Sequence, residues 1–223
     1  MSTWLGIEAA TPTGGAAVAK DGVLLAEITL GLTTRHSELL VPAIEFVLHA
    51  AGTERADLAG IVVGEGPGSF TGVRIAAATA RGLAAALRVP LFAHSSLASV
   101  AAGAGAMHRP VCALFDARRG EVYAACYRFA ETAVEVLLAP VAQPLDAVLA
   151  RVAPFQPLFV GDGALRYADR LPASPVPALL TLPRAAALLW LQELDPEAGR
   201  VRELAGWEPA YLRESGAEQG LRA

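Results

Sequence analysis

One stretch of nine residues, Gly64-Glu65-Gly66-Pro67-Gly68-Ser69-Phe70-Thr71-Gly72, constrains the fold of this chain more than any other. Ile61, Val62 and Val63 before it read as a buried strand, and from Val73 to Leu87 apolar residues recur at helical spacing, so the stretch is a tight corner from strand into helix. Its four glycines and one proline let the backbone take positive φ and approach a neighbour closely, while Ser69 or Thr71 can cap the first free N–H groups of the helix. Such a helix end suits an anion, and it serves equally as a plain corner with no ligand. The specific phosphate motifs fail. No lysine follows Gly72, and Lys20 is the only lysine in the chain, which removes the P-loop. Gly64-x-Gly66 is followed by Ser69 where a dinucleotide fingerprint needs Gly or Ala, and the preceding strand is not the first of the chain. Pro67 occupies the place of the first glycine of a nucleophile elbow around Ser69.

The remaining bounds come from size and charge. At 223 residues, 54% of them hydrophobic, the chain can bury one large core or two small ones without staples. A net charge of −4 argues against a protein that grips nucleic acid alone, so any RNA is expected only through a partner's surface. Cys112 and Cys126 lie in apolar strand-like runs, match no metal spacing and read as reduced core residues, which points to the cytoplasm. No basic leader with an apolar core opens the sequence and no long uninterrupted apolar run occurs, so neither secretion nor membrane spanning is expected.

In chain order, Trp4 to Ala10, Ala16 to Lys20 and Val23 to Leu30 read as a three-stranded meander, the last two joined by the hairpin signal Asp21-Gly22. A helix from Arg35 to Ala51, a strand from Gly60 to Gly64 and the helix after the corner complete the order βββαβα. That order is the repeating half of a ribonuclease H-like, actin-like (ASKHA) α/β fold. A short strand after Val89-Pro90-Leu91-Phe92 and a small helix from Ser96 to Gly103 lead to a Gly/Ala-rich link. This puts an N-terminal subdomain at 1–103 and a reduced second one, with a tail, at 104–223. The second contains strands Val111 to Asp116, Glu121 to Phe129 and Val134 to Leu138, helix Leu145 to Val152, strand Pro157 to Val160 and helix Pro183 to Leu194. The tail from Asp195 is expected to pack back through Trp207 and Tyr211.

An actin-type ATPase needs a first-strand carboxylate and a hydroxyl-bearing loop for metal and phosphates. Glu8 could face a metal, but Ala9 and Ala10 offer no hydroxyl, so a working phosphate loop is not expected. Asp116 and Asp162 end strands where a ligand could sit, and each also fits a turn cap. His36, His49, His94 and His108 follow no metal-binding spacing. Arg118 and Arg119 could contact phosphate, and they also fit a solvated hairpin tip.

The two long helices of the first half are apolar on two sides. On the first, Leu40, Ile44, Val47 and Ala51 form one stripe and Leu39, Ala43, Phe46 and Ala50 another; on the second, Ala76, Ala80, Leu83 and Leu87 face one way and Ile75, Ala78, Gly82 and Ala85 another. The extra stripes are either buried within one domain or meet a partner. The acidic Glu38 and Glu45 and the basic Arg74, Arg81 and Arg88 are expected to face one another between chains.

The run Gly66-Pro67-Gly68-Ser69-Phe70-Thr71-Gly72-Val73-Arg74 resembles the signature of the bacterial tRNA threonylcarbamoyladenosine biosynthesis family TsaB, also called YeaZ. His36-Ser37-Glu38-Leu39-Leu40-Val41-Pro42, Asp116-Ala117-Arg118-Arg119-Gly120-Glu121-Val122-Tyr123, Gly161-Asp162-Gly163-Ala164 and Pro209-Ala210-Tyr211-Leu212-Arg213 are similar to its other motifs, in the same order. The resemblance implies a non-catalytic subunit of two actin-like subdomains, acting as scaffold and activator of the threonylcarbamoyltransferase TsaD together with the ATPase TsaE. It implies no cofactor of its own, with ATP and metal held by the partner subunits, and tRNA met only through the complex. It also implies pairing through the two N-terminal helices, with TsaD or as a homodimer. Where the family commonly has Asp-Thr-Ser on the first strand this chain has Glu8-Ala9-Ala10, a departure that speaks against nucleotide binding by this subunit. A self-sufficient actin-type kinase or ATPase, or a peptidase, are the competing readings.

Overall fold

The computed structural model describes residues 2–32 and 35–212, so the end of the last motif, Arg213, lies outside the described residues. Strands β1 (Thr3–Glu8), β2 (Thr13–Lys20) and β3 (Val23–Gly31) form the antiparallel meander. Its second turn is tight because Asp21 and Gly22 both take positive φ, 49° and 77°, which matches the twist of a two-residue hairpin. Helix α1 (His36–Ala50) then crosses to β4 (Leu58–Gly64), which lies parallel to β1, and α2 (Phe70–Leu87) crosses to β5 (Leu91–His94), parallel to β4. The sheet order is β3-β2-β1-β4-β5. α2 starts at Phe70, three residues before Val73, where the helical spacing begins, because Ser69 is its N-cap and accepts from Gly72 N at 3.4 Å.

After α3 (Ser96–Gly103) the pattern repeats in shortened form. β6 (Pro110–Asp116), β7 (Glu121–Ala130) and β8 (Ala133–Pro144) form a second meander, α4 (Leu145–Val152) crosses over, and β9 (Leu158–Val160) returns parallel to β6, giving the order β8-β7-β6-β9. Two α/β units of this order make the actin-like fold. β8 runs six residues beyond the expected Leu138: Pro140 reads as a break, yet β8 is an edge strand, where a missing N–H removes no ladder bond. Cys112 and Cys126 face one another across β6 and β7 as buried free thiols. The hydrogen bond between them, with burial, pushes the Cys112 thiol well above its ordinary range.

Alternation along the strands sorts the side chains into layers. Leu5, Ile7, Ala16, Val18, Ile61 and Val63 point toward α1 and α2, while Ala17 and Val62, with the half-buried Trp4, point to the opposite face. That opposite face is covered by α6 (Ala185–Leu194), which comes from the far end of the chain. Gly6 makes this possible, since a methyl group there would collide with the Ala185 carbonyl. On its other side α6 joins α3 in the core of the second sheet through Leu191 and Trp190, and α4 covers that sheet's remaining face. The helix Pro183 to Leu194 therefore does more than complete the second half; it is the middle layer between the two sheets. Its entry is fixed by Glu27 of β3, whose carboxylate accepts from Ala186 N at 3.0 Å and forms an ion pair with Arg184. Glu27→Ala is expected to lower stability by about 1–2 kcal/mol, through a lost helix-end charge and an unpaired Ala186 N–H. Urea unfolding with a shifted midpoint and unchanged slope would show this, and an unmoved midpoint would mean that α6 is held by packing alone. Among the described residues, no helix is long and apolar enough to cross a membrane.

Candidate functional site

The ends of β1 and β4, the starts of α1, α2 and α3 and the tail converge on the glycine corner. At its base is Glu8, fully buried. Glu8 Oε1 accepts from Ala10 N at 2.9 Å and from Ser96 Oγ at 3.1 Å, and Ser96 Oγ in turn accepts from Gly66 N at 3.2 Å. Ser96 N also donates to Gly66 O at 2.8 Å, so one serine ties the corner to the first strand. Glu8 Oε2 has no hydrogen-bond partner and lies against Gly64, where any side chain would displace it. Burial outweighs the hydrogen bonds from Ala10, Ser96 and Ala9 and pushes the carboxyl up to about 7.

The phosphate region of an actin-type site lies between this strand end and the corner, and here the backbone itself fills it. Ser69 N donates to Ala10 O at 2.6 Å, and side chains at Gly68 or Gly72 would collide with Ala10 or Ala9. The His36 ring closes the far side, with Nε2 3.3 Å from Thr11 O. Gly66, with φ 90°, and a cis Gly66–Pro67 peptide turn the chain back on itself between these contacts. A strand end without hydroxyls at Ala9 and Ala10, beside loops already in contact, does not fit a metal–nucleotide pair.

The outer side of the corner is an aromatic and cationic stack. The Arg74 guanidinium lies 3.7 Å above the Phe70 ring centroid and its Nε donates to Tyr211 OH at 3.0 Å, with the two rings 5.6 Å apart. Arg81 donates to Trp207 O at 3.2 Å, and Ala210 N to Glu65 O at 3.1 Å. The tail thus packs back through Trp207 and Tyr211. Glu65, largely buried beside it, has a carboxyl raised by that burial.

The helix stripes divide more sharply than their spacing suggested. Leu40, Ile44 and Val47 are buried, and Ala43 is buried with them at 2% exposure, which removes it from the second stripe. Phe46 is 55% exposed, Ala50, Ala78, Gly82 and Ala85 are exposed, and Leu39 and Ile75 are half-buried. A methyl group at Gly82 would meet nothing within 4 Å. The charges expected to pair between chains already have partners within one. Glu38 bonds Arg35 at 2.8 Å and Glu45 bonds Arg55 at 3.0 Å, while Arg74 and Arg81 serve the tail. Arg88 closes α2 in the left-handed conformation, φ 57°.

In the second half, Asp116 caps the β6–β7 turn by accepting from Arg118 N at 3.0 Å, and also accepts from Tyr167 OH at 3.3 Å. Asp162 opens the short helix α5 (Asp162–Arg166), and Arg118 and Arg119 sit exposed at the hairpin tip. Ser96 escaped the sequence reading. Its only signal was the pair Ser95-Ser96 before an apolar run, which reads as a cap; Ser95 indeed caps α3, accepting from Ala98 N at 3.4 Å, which frees Ser96 to serve the corner.

Comparison with known proteins gives a consistent set of relatives. The family model described as TsaD, tRNA N6-adenosine threonylcarbamoyltransferase, matches residues 25–162. The tRNA threonylcarbamoyladenosine biosynthesis protein TsaB of Bacillus subtilis is 38% identical over 127 residues, 57% of this chain and 56% of that protein. The TsaB protein of Escherichia coli is 37% identical over 134 residues, 58% of this chain and 57% of that one. These alignments thus span little more than half the length of the curated relatives. Two solved structures from Pseudomonas aeruginosa match almost end to end. One is described as an uncharacterized protein with similarity to peptidase YEAZ, with TM-score 0.83, 32% identity and coverage of 96% of this chain and 100% of that one. The other, YeaZ, has TM-score 0.79, 31% identity and coverage of 95% and 100%.

Proposed function

Because the chain belongs to the TsaB/YeaZ family, we propose that it is a non-catalytic subunit of tRNA threonylcarbamoyladenosine biosynthesis, which holds and activates a TsaD transferase together with TsaE. The observation that carries this reading is the face of α1 and α2 left open in the single chain: Phe46 stands out of a helix whose other large apolar residues are mostly buried. Ala50 on the same helix and Ala78, Gly82 and Ala85 on α2 are exposed and small enough for a second backbone to come close. An exposed aromatic together with exposed small residues has the composition of an interface anchor. TsaD is its occupant in the complex, and a second copy of the chain competes for the same face.

The subunit works without a nucleotide or metal of its own, which the closed corner supports. ATP, metal and the transfer of threonylcarbamoyl to the adenosine next to the anticodon belong to the partner subunits, in the cytoplasm. Reconstitution tests this. With TsaD, TsaE, ATP, threonylcarbamoyl-adenylate and tRNA, modified adenosine is expected only when this chain is present, and the chain alone is expected to turn over neither ATP nor tRNA. Modification at full rate in its absence, or ATP hydrolysis by the purified chain, would overturn the assignment.

A further inference from the structure

We infer that the tip of the β6–β7 hairpin is a contact for the phosphate backbone of RNA, made by Arg118 and Arg119 from within the assembled complex. This rests on the proposed place of the chain in a tRNA-modifying assembly. The turn is closed by Ala117 N to Glu121 O and Glu121 N to Arg118 O, both at 3.1 Å. Between those bonds Arg118, Arg119 and Gly120 take φ of 63°, 55° and 80°. Glycine adopts that conformation freely, but in an arginine it brings Cβ too close to the following carbonyl oxygen. A turn of this shape is better served by Asn or Gly at both arginine positions, so the charges stand where local preference opposes them, and strain of that kind points to use.

The tip is also braced. Asp116 accepts from Arg118 N at 3.0 Å and Tyr167 OH at 3.3 Å and pairs with Arg166 at 3.4 Å, which ties the turn to α5. Arg166 and Arg170 each lie 5.8 Å from the Tyr167 ring, but both are matched by carboxylates, Asp116 and Asp146. Arg118 and Arg119 form no ion pair among the described residues, and both are exposed. Two unmatched guanidinium groups on a convex, braced point suit an extended polyanion and give no walls for a small one. Arginine meets phosphate oxygens through paired N–H groups. The whole chain carries net −4, or −6 without these two arginines, a balance that does not favour RNA over the rest of the surface.

The test uses the assembled complex and an unmodified tRNA transcript, with affinity measured from about 50 to about 200 mM salt. For the double variant Arg118→Gln with Arg119→Gln, the slope of log affinity against log salt is expected to fall in magnitude by about 1.4–1.8, for two lost phosphate contacts. The double lysine variant should restore most of the slope. A third variant, Arg118→Asn with Arg119→Gly, relieves the backbone while removing the charge, so it should melt higher than the parent yet bind tRNA as poorly as the glutamine pair. An unchanged slope in an intact complex overturns the inference. So does a glutamine variant that no longer assembles, which would make the tip a protein contact. Parent complex that binds no tRNA overturns the functional assignment along with it, whereas a parent that binds and a variant that binds identically overturns the tip alone.

Discussion

Replacing Glu8 by Gln is expected to raise the melting temperature at pH 8 by roughly 6–12 °C and to leave it nearly unchanged near pH 4. The Glu8 carboxyl is raised from 4.5 to about 7 by burial, against the opposing pull of Ala10 N and Ser96 Oγ. Because the folded-state value lies above the unfolded one, the folded chain holds a proton that the unfolded chain releases. The favourable contribution is complete below pH 4.5 and is lost as pH rises through 7. A shift of this size corresponds to about 3 kcal/mol between those limits. Gln is neutral throughout, and its oxygen can accept the same two donors, so the difference between variant and parent isolates this one group. That subtraction matters because His94, whose imidazole is lowered by burial, has the opposite sign and gains stability as pH rises, while Glu65 adds to the trend of Glu8. Parallel melting curves against pH for parent and variant would show that Glu8 stays ionised and that the buried oxygen has found water or a cation.

Much of the fold is legible in the residues because its decisions are local. Asp21-Gly22 sets a hairpin, the glycines from Gly64 to Gly72 set a corner, and the polar tail still carries the aromatic residues Trp207 and Tyr211 that bring it home. Most of what failed depends on packing that spacing alone does not show. α6 shows no preference between sheets when its spacing is read alone, although the run Ala185 to Leu191 is apolar on nearly every side, which is the pattern of a helix sandwiched between layers. Ala43 reads like its stripe-mates Phe46 and Ala50; packing against the core separates it from them. The acidic residues Glu38 and Glu45 look unpaired until Arg35 and Arg55 are placed beside them, and such exposed pairs, worth about 0–1 kcal/mol each, yield easily to a better partner. The site shows the same division. The missing hydroxyls at Ala9 and Ala10 can be read directly, whereas the raised carboxyl of Glu8 comes from its burial by elements distant in sequence, with Ser96, 88 positions away, opposing the rise through its hydrogen bond.

The sharpest separation of fold from assembly comes from placing the same charge at two positions of α1. Ile44 and Phe46 are two residues apart, ~200° around the helix, and the structure puts the first at 4% exposure in the core under the first sheet and the second at 55% in solvent. Ile44→Asp leaves a carboxylate among Leu5, Val18 and Val63 without water or partner. It is expected to cost at least several kcal/mol of a fold worth ~5–15 kcal/mol, enough to leave the variant largely unfolded at room temperature. Phe46→Asp meets water in the single chain, so its melt should stay within a few degrees of the parent. If TsaD occupies this face as proposed, the change removes an aromatic anchor worth ~2 kcal/mol or more and buries a charge in its place, weakening association with TsaD by ~30-fold or more. Thermal melts and size-exclusion elution, alone and mixed with TsaD, decide between the outcomes. A folded Phe46→Asp that still co-elutes with TsaD moves the interface away from α1. If that variant instead keeps TsaD but loses self-association, the open face belongs to a second copy of the chain, and TsaD must dock on another surface.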